Sequence, residues 1–157
     1  MIALFAGRFQ PLHNGHVHAI RQLLRQYDFV AIAICSPGRP DQANPFPFSA
    51  RKRMLEATLR AYRGRFKVVS QRDMHDDQAW AQSIAGKAKF DVAVSGNPWV
   101  RNCFAAIGKR AVALHFLQPA RYSGTRIRQL MQAGKRWQQL VPSATVTVLE
   151  GRRKSLF

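Results

Sequence analysis

Five short apolar runs, at residues 2–6, 29–35, 66–70, 92–95 and 111–115, alternate with segments of helical spacing. Nothing else in the sequence narrows the possible folds as much. A strand that is apolar along its whole length must be covered on both faces. Parallel sheets meet that need, because the helix that returns the chain to each next strand packs on the sheet. The order β-α-β-α-β-α-β-α-β therefore predicts an α/β fold: a doubly wound, Rossmann-like, five-stranded parallel sheet with helices on both faces. The first helix is set by Val17, Ile20, Leu23, Leu24 and Tyr27 on one stripe, with Arg21, Gln22, Arg25 and Gln26 opposite. A second is expected to start at Ser49 as N-cap and run through Met54, Leu55, Thr58 and Leu59, and a third to surround Trp80 and Ile84.

Beyond the last strand a short C-terminal helical region is expected. Residues 123–131 read as a helix with Ser123 or Thr125 near its cap, and residues 135–140 as another. Residues 144–149 are rich in β-branched side chains, but Pro142 suits a first helical turn and tips the segment to helix. A chain of 157 residues with 46% hydrophobic residues can bury one core, so residues 1–157 are read as a single domain. The longest apolar run, residues 29–35, is too short to span a bilayer, and no export signal opens the chain. Cys35 and Cys103 lie in apolar surroundings without zinc-type spacing, which fits two buried thiols and a cytoplasmic protein.

Charge points to an anionic partner: 25 Lys and Arg stand against 8 Asp and Glu, a formal +17. A nucleic-acid-binding module is the less favoured reading of that surplus. No recognition-helix motif and no stacking aromatics beside basic clusters are present, and Arg51-Lys52-Arg53 and Arg152-Arg153-Lys154 read as solvated faces. A nucleotide fits better. In doubly wound sheets ligands bind beyond the carboxyl ends of the strands. There, after strand one, Gly7 permits close backbone approach and Arg8 supplies a bidentate phosphate donor, while Gly15 and His16 open a helix whose positive end attracts anions. His13 and His16, three apart at the helix entrance, can both donate to one phosphate. No Cys, Asp or Glu completes a metal set around them, and neither a P-loop nor a GxGxxG fingerprint occurs.

The run Gly7-Arg8-Phe9-Gln10-Pro11-Leu12-His13-Asn14-Gly15-His16 resembles the HxGH signature of the nucleotidylyltransferase superfamily, and Tyr122-Ser123-Gly124-Thr125-Arg126-Ile127-Arg128 resembles that family's late motif. With Ser95-Gly96-Asn97-Pro98, these are most similar to the archaeal-type nicotinamide-nucleotide adenylyltransferases. The resemblance runs from Gly7 to about Val146. It implies transfer of the adenylyl group of ATP to nicotinamide mononucleotide, giving NAD and pyrophosphate, with Mg²⁺ accompanying ATP and no permanently bound cofactor. Other superfamily transferases, acting on pantetheine phosphate or using a cytidylyl donor, are the alternative. By the resemblance His16, His13, Arg8 and Arg128 are catalytic, and Gly7, Gly15, Asn97, Ser123 and Thr125 hold ATP. Asp73, Met74, Asp77 and Trp80 would receive the mononucleotide, with Trp80 stacking on its ring. A homo-oligomer, often a hexamer in this family, is also implied. Three departures stand out. Asp77 occupies the place of an Asn that bonds the carboxamide, which favours the amide over the acid substrate. Residues 36–48 lack the family's Arg before an acidic-Pro-Phe run, leaving Arg39 as the nearest candidate beside Ala43-Asn44-Pro45-Phe46. Arg126 stands where relatives often carry an acid.

Overall fold

The computed structural model describes residues 1–36 and 38–154, without the side chains of Arg153 and Lys154. Five strands, β1 (Ile2–Gly7), β2 (Phe29–Cys35), β3 (Phe66–Gln71), β4 (Val92–Ser95) and β5 (Arg110–Ala113), form one parallel sheet in the order β3-β2-β1-β4-β5. Ala3 is flanked by Val30 on one side and Val92 on the other. The helices are α1 (Asn14–Gln26), α2 (Phe48–Thr58), α3 (Asp77–Lys87), α4 (Pro98–Ala106), α5 (Gly124–Gln132) and α6 (Ser143–Lys154).

Alternation along β1 sorts the core into two layers. Ala3 and Phe5 face a cluster that holds Ile20 and Leu23 of α1, Met54 and Leu55 of α2, Ile127 of α5 and Val148 of α6. Leu4 faces the other way, onto Trp80 and Ile84 of α3 and Val100, Cys103 and Phe104 of α4. Successive side chains of a strand point to opposite faces, so each apolar strand supplies both layers. The crossover leaving β1 thus lies on one face and that leaving β4 on the other. Their shared carboxyl ends form the switch point where such sheets bind ligands. Among the described residues no helix is long and apolar enough to cross a membrane.

The expected doubly wound fold is present, with local corrections. β5 covers 110–113 rather than 111–115, and β1 and β3 each run one residue further than expected. Helix α2 does not take Ser49 as its cap. Pro47, with φ −66°, is the cap residue, and its carbonyl accepts from the Arg51 amide, which places Ser49 inside the first turn. Residues 135–140 do not form an α-helix. Gly134, at φ +64°, closes α5 with paired bonds from Gly134 N to the Met131 carbonyl and from Lys135 N to the Leu130 carbonyl. This is a glycine-terminated helix end. The chain then dips to bury Trp137 and Leu140, leaving room only for a 3-10 turn at Gln138–Leu140. The β-branched segment after Pro142 is helical, as α6, and its buried Thr145 donates to the Leu12 carbonyl. Both cysteines are buried free thiols.

Candidate active site

The loop from Arg8 to His13 is held from below and from the side. Phe9 adopts φ +50°, a left-handed conformation that costs a non-glycine residue on the order of 1–3 kcal/mol. Its buried ring is the compensation: it packs on the Gly7 backbone, where a Cβ would lie 3.1 Å from Phe9 Cζ, and 4.8 Å from the His16 ring. Gln10 grips residue 46 twice, donating to the Phe46 carbonyl at 2.9 Å and accepting from its amide at 3.0 Å. Beneath Arg8 lies Arg51, fully buried, donating to the carbonyls of Arg8, Cys35 and Ser36 at 2.7, 2.8 and 3.2 Å. Arg51 is therefore no part of a solvated basic face. The apolar stripe of α2 carried the signal, since Arg51 stands three and four residues before Met54 and Leu55.

His13 and His16 form a reciprocal cap on α1. The His16 amide donates to His13 Nδ1 and the His13 amide to His16 Nδ1, each at 3.3 Å, and the rings stack with centroids 3.6 Å apart. Burial pulls the His13 pKa down to about 4, and desolvation together with the neighbouring His13 ring holds His16 well below the usual imidazole value. Both rings are thus neutral at physiological pH. Since each Nδ1 accepts, each proton sits on Nε2. The pair presents two neutral donors fixed by the backbone.

The late motif docks on this loop because two glycines permit it. A Cβ on Gly15 would lie 2.9 Å from Tyr122 Cβ, and one on Gly124 would lie 2.8 Å from the Gln10 carbonyl oxygen. Ser123 caps α5 by accepting from the Arg126 amide. Arg128 donates to the Gln10 carbonyl at 2.7 Å and to Thr125 Oγ1 at 3.4 Å. A cavity of about 390 Å³ results, walled by Arg8, His13, His16, Asn44, Thr125 and Arg128 among others. Ser123 and Gly15 shape it without bordering it. Arg39 is exposed and Arg126 lies on the solvent side of α5.

A second cavity, of about 260 Å³, opens on the other side of Arg8, and its wall includes Gly7, Cys35, Asp73, Trp80, Asn97 and Trp99. Arg8 is held between Asn44 Oδ1 at 3.1 Å and Asp73 Oδ2 at 3.5 Å. Trp80 is buried, packed against Trp99 and Phe104 with ring centroids at 5.0 and 5.6 Å, so it is at once core and cavity wall. Asn97 caps α4 by accepting from the Trp99 amide. Met74 and Asp77 do not border this cavity. Met74 is exposed with its thioether against Gln71, and Asp77 accepts from Trp99 Nε1 at 3.1 Å. Trp99, which the sequence reading missed, is 45% exposed and braced by that bond. Its signal was position: an aromatic two residues past Asn97, just beyond the fourth strand. Burial pushes the Cys35 thiol up to about 12, so it stays protonated and is no nucleophile.

Residues 4–130 match the family described as cytidylyltransferase-like. The chain is similar to the nicotinamide-nucleotide adenylyltransferase of Thermoplasma volcanium, 33% identical over 150 residues that make up 94% of this chain and 84% of that protein. It is 30% identical to the enzyme of the same name from Methanococcus aeolicus, over 96% of this chain and 88% of that one. Among solved structures it resembles a bifunctional NMN adenylyltransferase/ADP ribose pyrophosphatase from Francisella tularensis, complexed with AMP and a manganese ion. The TM-score is 0.76 and the identity 26%; the match covers 89% of this chain but 44% of that one, so this chain spans less than half of the bifunctional protein.

Proposed function

This chain belongs to the cytidylyltransferase-like family and, within it, to the nicotinamide-nucleotide adenylyltransferases, and we propose that it joins ATP to nicotinamide mononucleotide across Arg8. The observation that carries this reading is that Arg8, alone among the described residues, borders both cavities. The histidine-lined cavity would hold the triphosphate and the tryptophan-lined one the pyridine nucleotide, bringing the two phosphates together at one guanidinium.

In the reaction an oxygen of the mononucleotide phosphate attacks the α-phosphorus of ATP. One P–O bond forms, the bond from the α-phosphorus to the α,β-bridging oxygen breaks, and pyrophosphate leaves. The attacking phosphate is already ionised, so no general base is needed, and catalysis rests on alignment and on stabilising charge as it develops. His13 and His16 would donate through Nε2 to the triphosphate oxygens, with His16 nearest the reacting phosphorus. Arg128 and Thr125 would grip its far end and Arg8 would hold the attacking phosphate. A divalent metal ion, Mg²⁺ in this reading, would neutralise the triphosphate. The histidine cavity offers it only neutral oxygens, Thr125 Oγ1 among them, so phosphate oxygens and water would complete its shell.

Trp80 and Trp99 border this cavity, and Trp99, 45% exposed, would meet a planar, positively charged pyridine ring, a contact that cation–π attraction favours. Asp73 borders the cavity and Asp77 stands behind Trp99, bonded to its Nε1, and the negative charge of the two would disfavour the carboxylate of the acid substrate, so the amide is the proposed substrate. A homo-oligomeric state belongs to the same proposal, and light scattering reads it directly. The test of the function is to incubate the protein with ATP, Mg²⁺ and either mononucleotide and to measure dinucleotide and pyrophosphate. Dinucleotide forming faster from the amide is expected. No dinucleotide from either, with product from pantetheine phosphate or from CTP, would overturn the assignment.

A further inference from the structure

Away from the nucleotide site, a groove of about 990 Å³ runs between α2, α6 and the edge strand β3. Its wall carries Lys52, Arg53, Arg60, Arg63 and Lys67 and a single carboxylate, Glu56, which pairs with Lys52 at 3.7 Å. Among the described residues Arg53, Arg60, Arg63 and Lys67 have no carboxylate within ion-pair reach. The contrast with Arg65, in the same stretch, is informative. Its guanidinium donates to the carbonyls of Leu24, Tyr27 and Asp28 and so closes a structural gap. The groove cations have no such role to account for them.

We propose that this groove binds the sugar–phosphate backbone of nucleic acid through phosphate contacts, without reading base sequence. Five cations drawn from α2, the 3-10 turn at Arg60–Tyr62, the turn after it and β3 line a concave track. A chain of phosphates satisfies such a track, whereas one small anion would engage only part of it. A second copy of this chain has no matching acidic face. Of its eight acids Asp28 holds the N-terminal amine, Asp41 binds Asn44, Asp73 holds Arg8, Asp76 caps α3, Asp77 braces Trp99, Asp91 accepts from the Ile2 amide and Glu56 already lies in the groove, which leaves Glu150 alone. A lipid surface fits less well, because none of the exposed large apolar residues, Met1, Met74, Trp99 and Leu117, lies in the groove, and the groove is concave. Binders that read bases carry stacking aromatics or a recognition helix, and the sequence shows neither, but the phosphate-driven, sequence-independent part of binding requires neither.

The probe is a fluorescein-labelled 20-nucleotide single-stranded RNA of mixed sequence, followed by polarisation from 50 to 300 mM salt. The wild-type chain should bind with log K falling against log salt with a slope of about −3, as expected for four or five neutralised phosphates on a single strand. Arg60→Glu with Arg63→Glu, both on the exposed rim, should weaken binding at least tenfold and flatten the slope, while adenylyl transfer stays within twofold of wild type. As a control of equal charge, Arg21→Glu with Arg25→Glu on the outer face of α1 should retain most of the binding. No RNA binding at 50 mM salt would overturn the proposal, as would equal losses in the two double variants. So would binding to 3:1 phosphatidylcholine–phosphatidylserine vesicles in place of RNA. Because transfer is assayed separately, failure here leaves the proposed reaction untouched, and the converse holds.

Discussion

At the carboxyl end of β1, His13 and His16 would meet an anion with neutral donors whose direction is fixed by a reciprocal cap. At the β3 edge, Lys52, Arg53, Arg60, Arg63 and Lys67 meet one with full charges standing in water. The difference lies in how each region gains selectivity. A buried, preorganised donor costs little reorganisation as charge develops on a phosphate, and its effect depends on position to a fraction of an ångström. Solvated cations act by number, at a distance, and are weakened by salt. The first arrangement suits a reaction and the second suits retention of a polymer. Together the two regions use seven of the 25 Lys and Arg, Arg8 and Arg128 in the first and five in the groove.

Removing one histidine should break the comparison most visibly. His16→Ala is expected to lower kcat by about 10² to 10³, the loss typical of one donor aimed at developing charge, with a modest change in ATP binding. Near-normal turnover would remove its assigned role. The groove pair Arg60→Glu and Arg63→Glu should leave kcat unchanged in the same assay.

Next in size is a pH effect that belongs to the histidine site alone. His13 titrates near 4 in the folded chain and near 6.5 when unfolded, so between those values the unfolded state binds more protons. Stability should be level above pH 6.5 and fall as pH drops toward 4, by on the order of 3 kcal/mol from His13, with His16 acting in the same direction. Denaturant titrations at pH 7 and pH 5 measure this, and equal stabilities would mean that the rings are not buried as neutral bases. A smaller effect should follow from Gly15→Ala. The added methyl meets Tyr122 Cβ at 2.9 Å and must push the late motif off the loop, costing about 1–3 kcal/mol. The Michaelis constant for ATP should rise as Thr125 and Arg128 shift. Unchanged stability and binding would show that the two motifs tolerate separation.

The regions also differ in how legible they were from sequence. The strands and α1 could be read because burial on two faces, or on one stripe, leaves a direct periodic trace. The histidine loop and the α5 motif could be read because the types and spacing of His, Gly, Ser and Arg are narrow. What escaped depends on contacts distant in sequence. Arg51 resembles a surface cation until its three carbonyl partners are seen, and residues 135–140 resemble a helix until Trp137 and Leu140 are seen to be buried. Asp77 is assigned to the substrate from sequence, and in the structure its carboxylate accepts from Trp99, a partner 22 residues away. The cations of the groove were visible one by one. Their gathering along β3 required the sheet order.

The central claim is that one guanidinium joins two nucleotide cavities, and Arg8→Ala tests it most directly under saturating ATP and nicotinamide mononucleotide. The account predicts that kcat falls by about a hundredfold or more, while each substrate alone still binds, the mononucleotide quenching tryptophan fluorescence and ATP being seen by calorimetry. A normal kcat, or a loss confined to the Michaelis constant of one substrate, would contradict it.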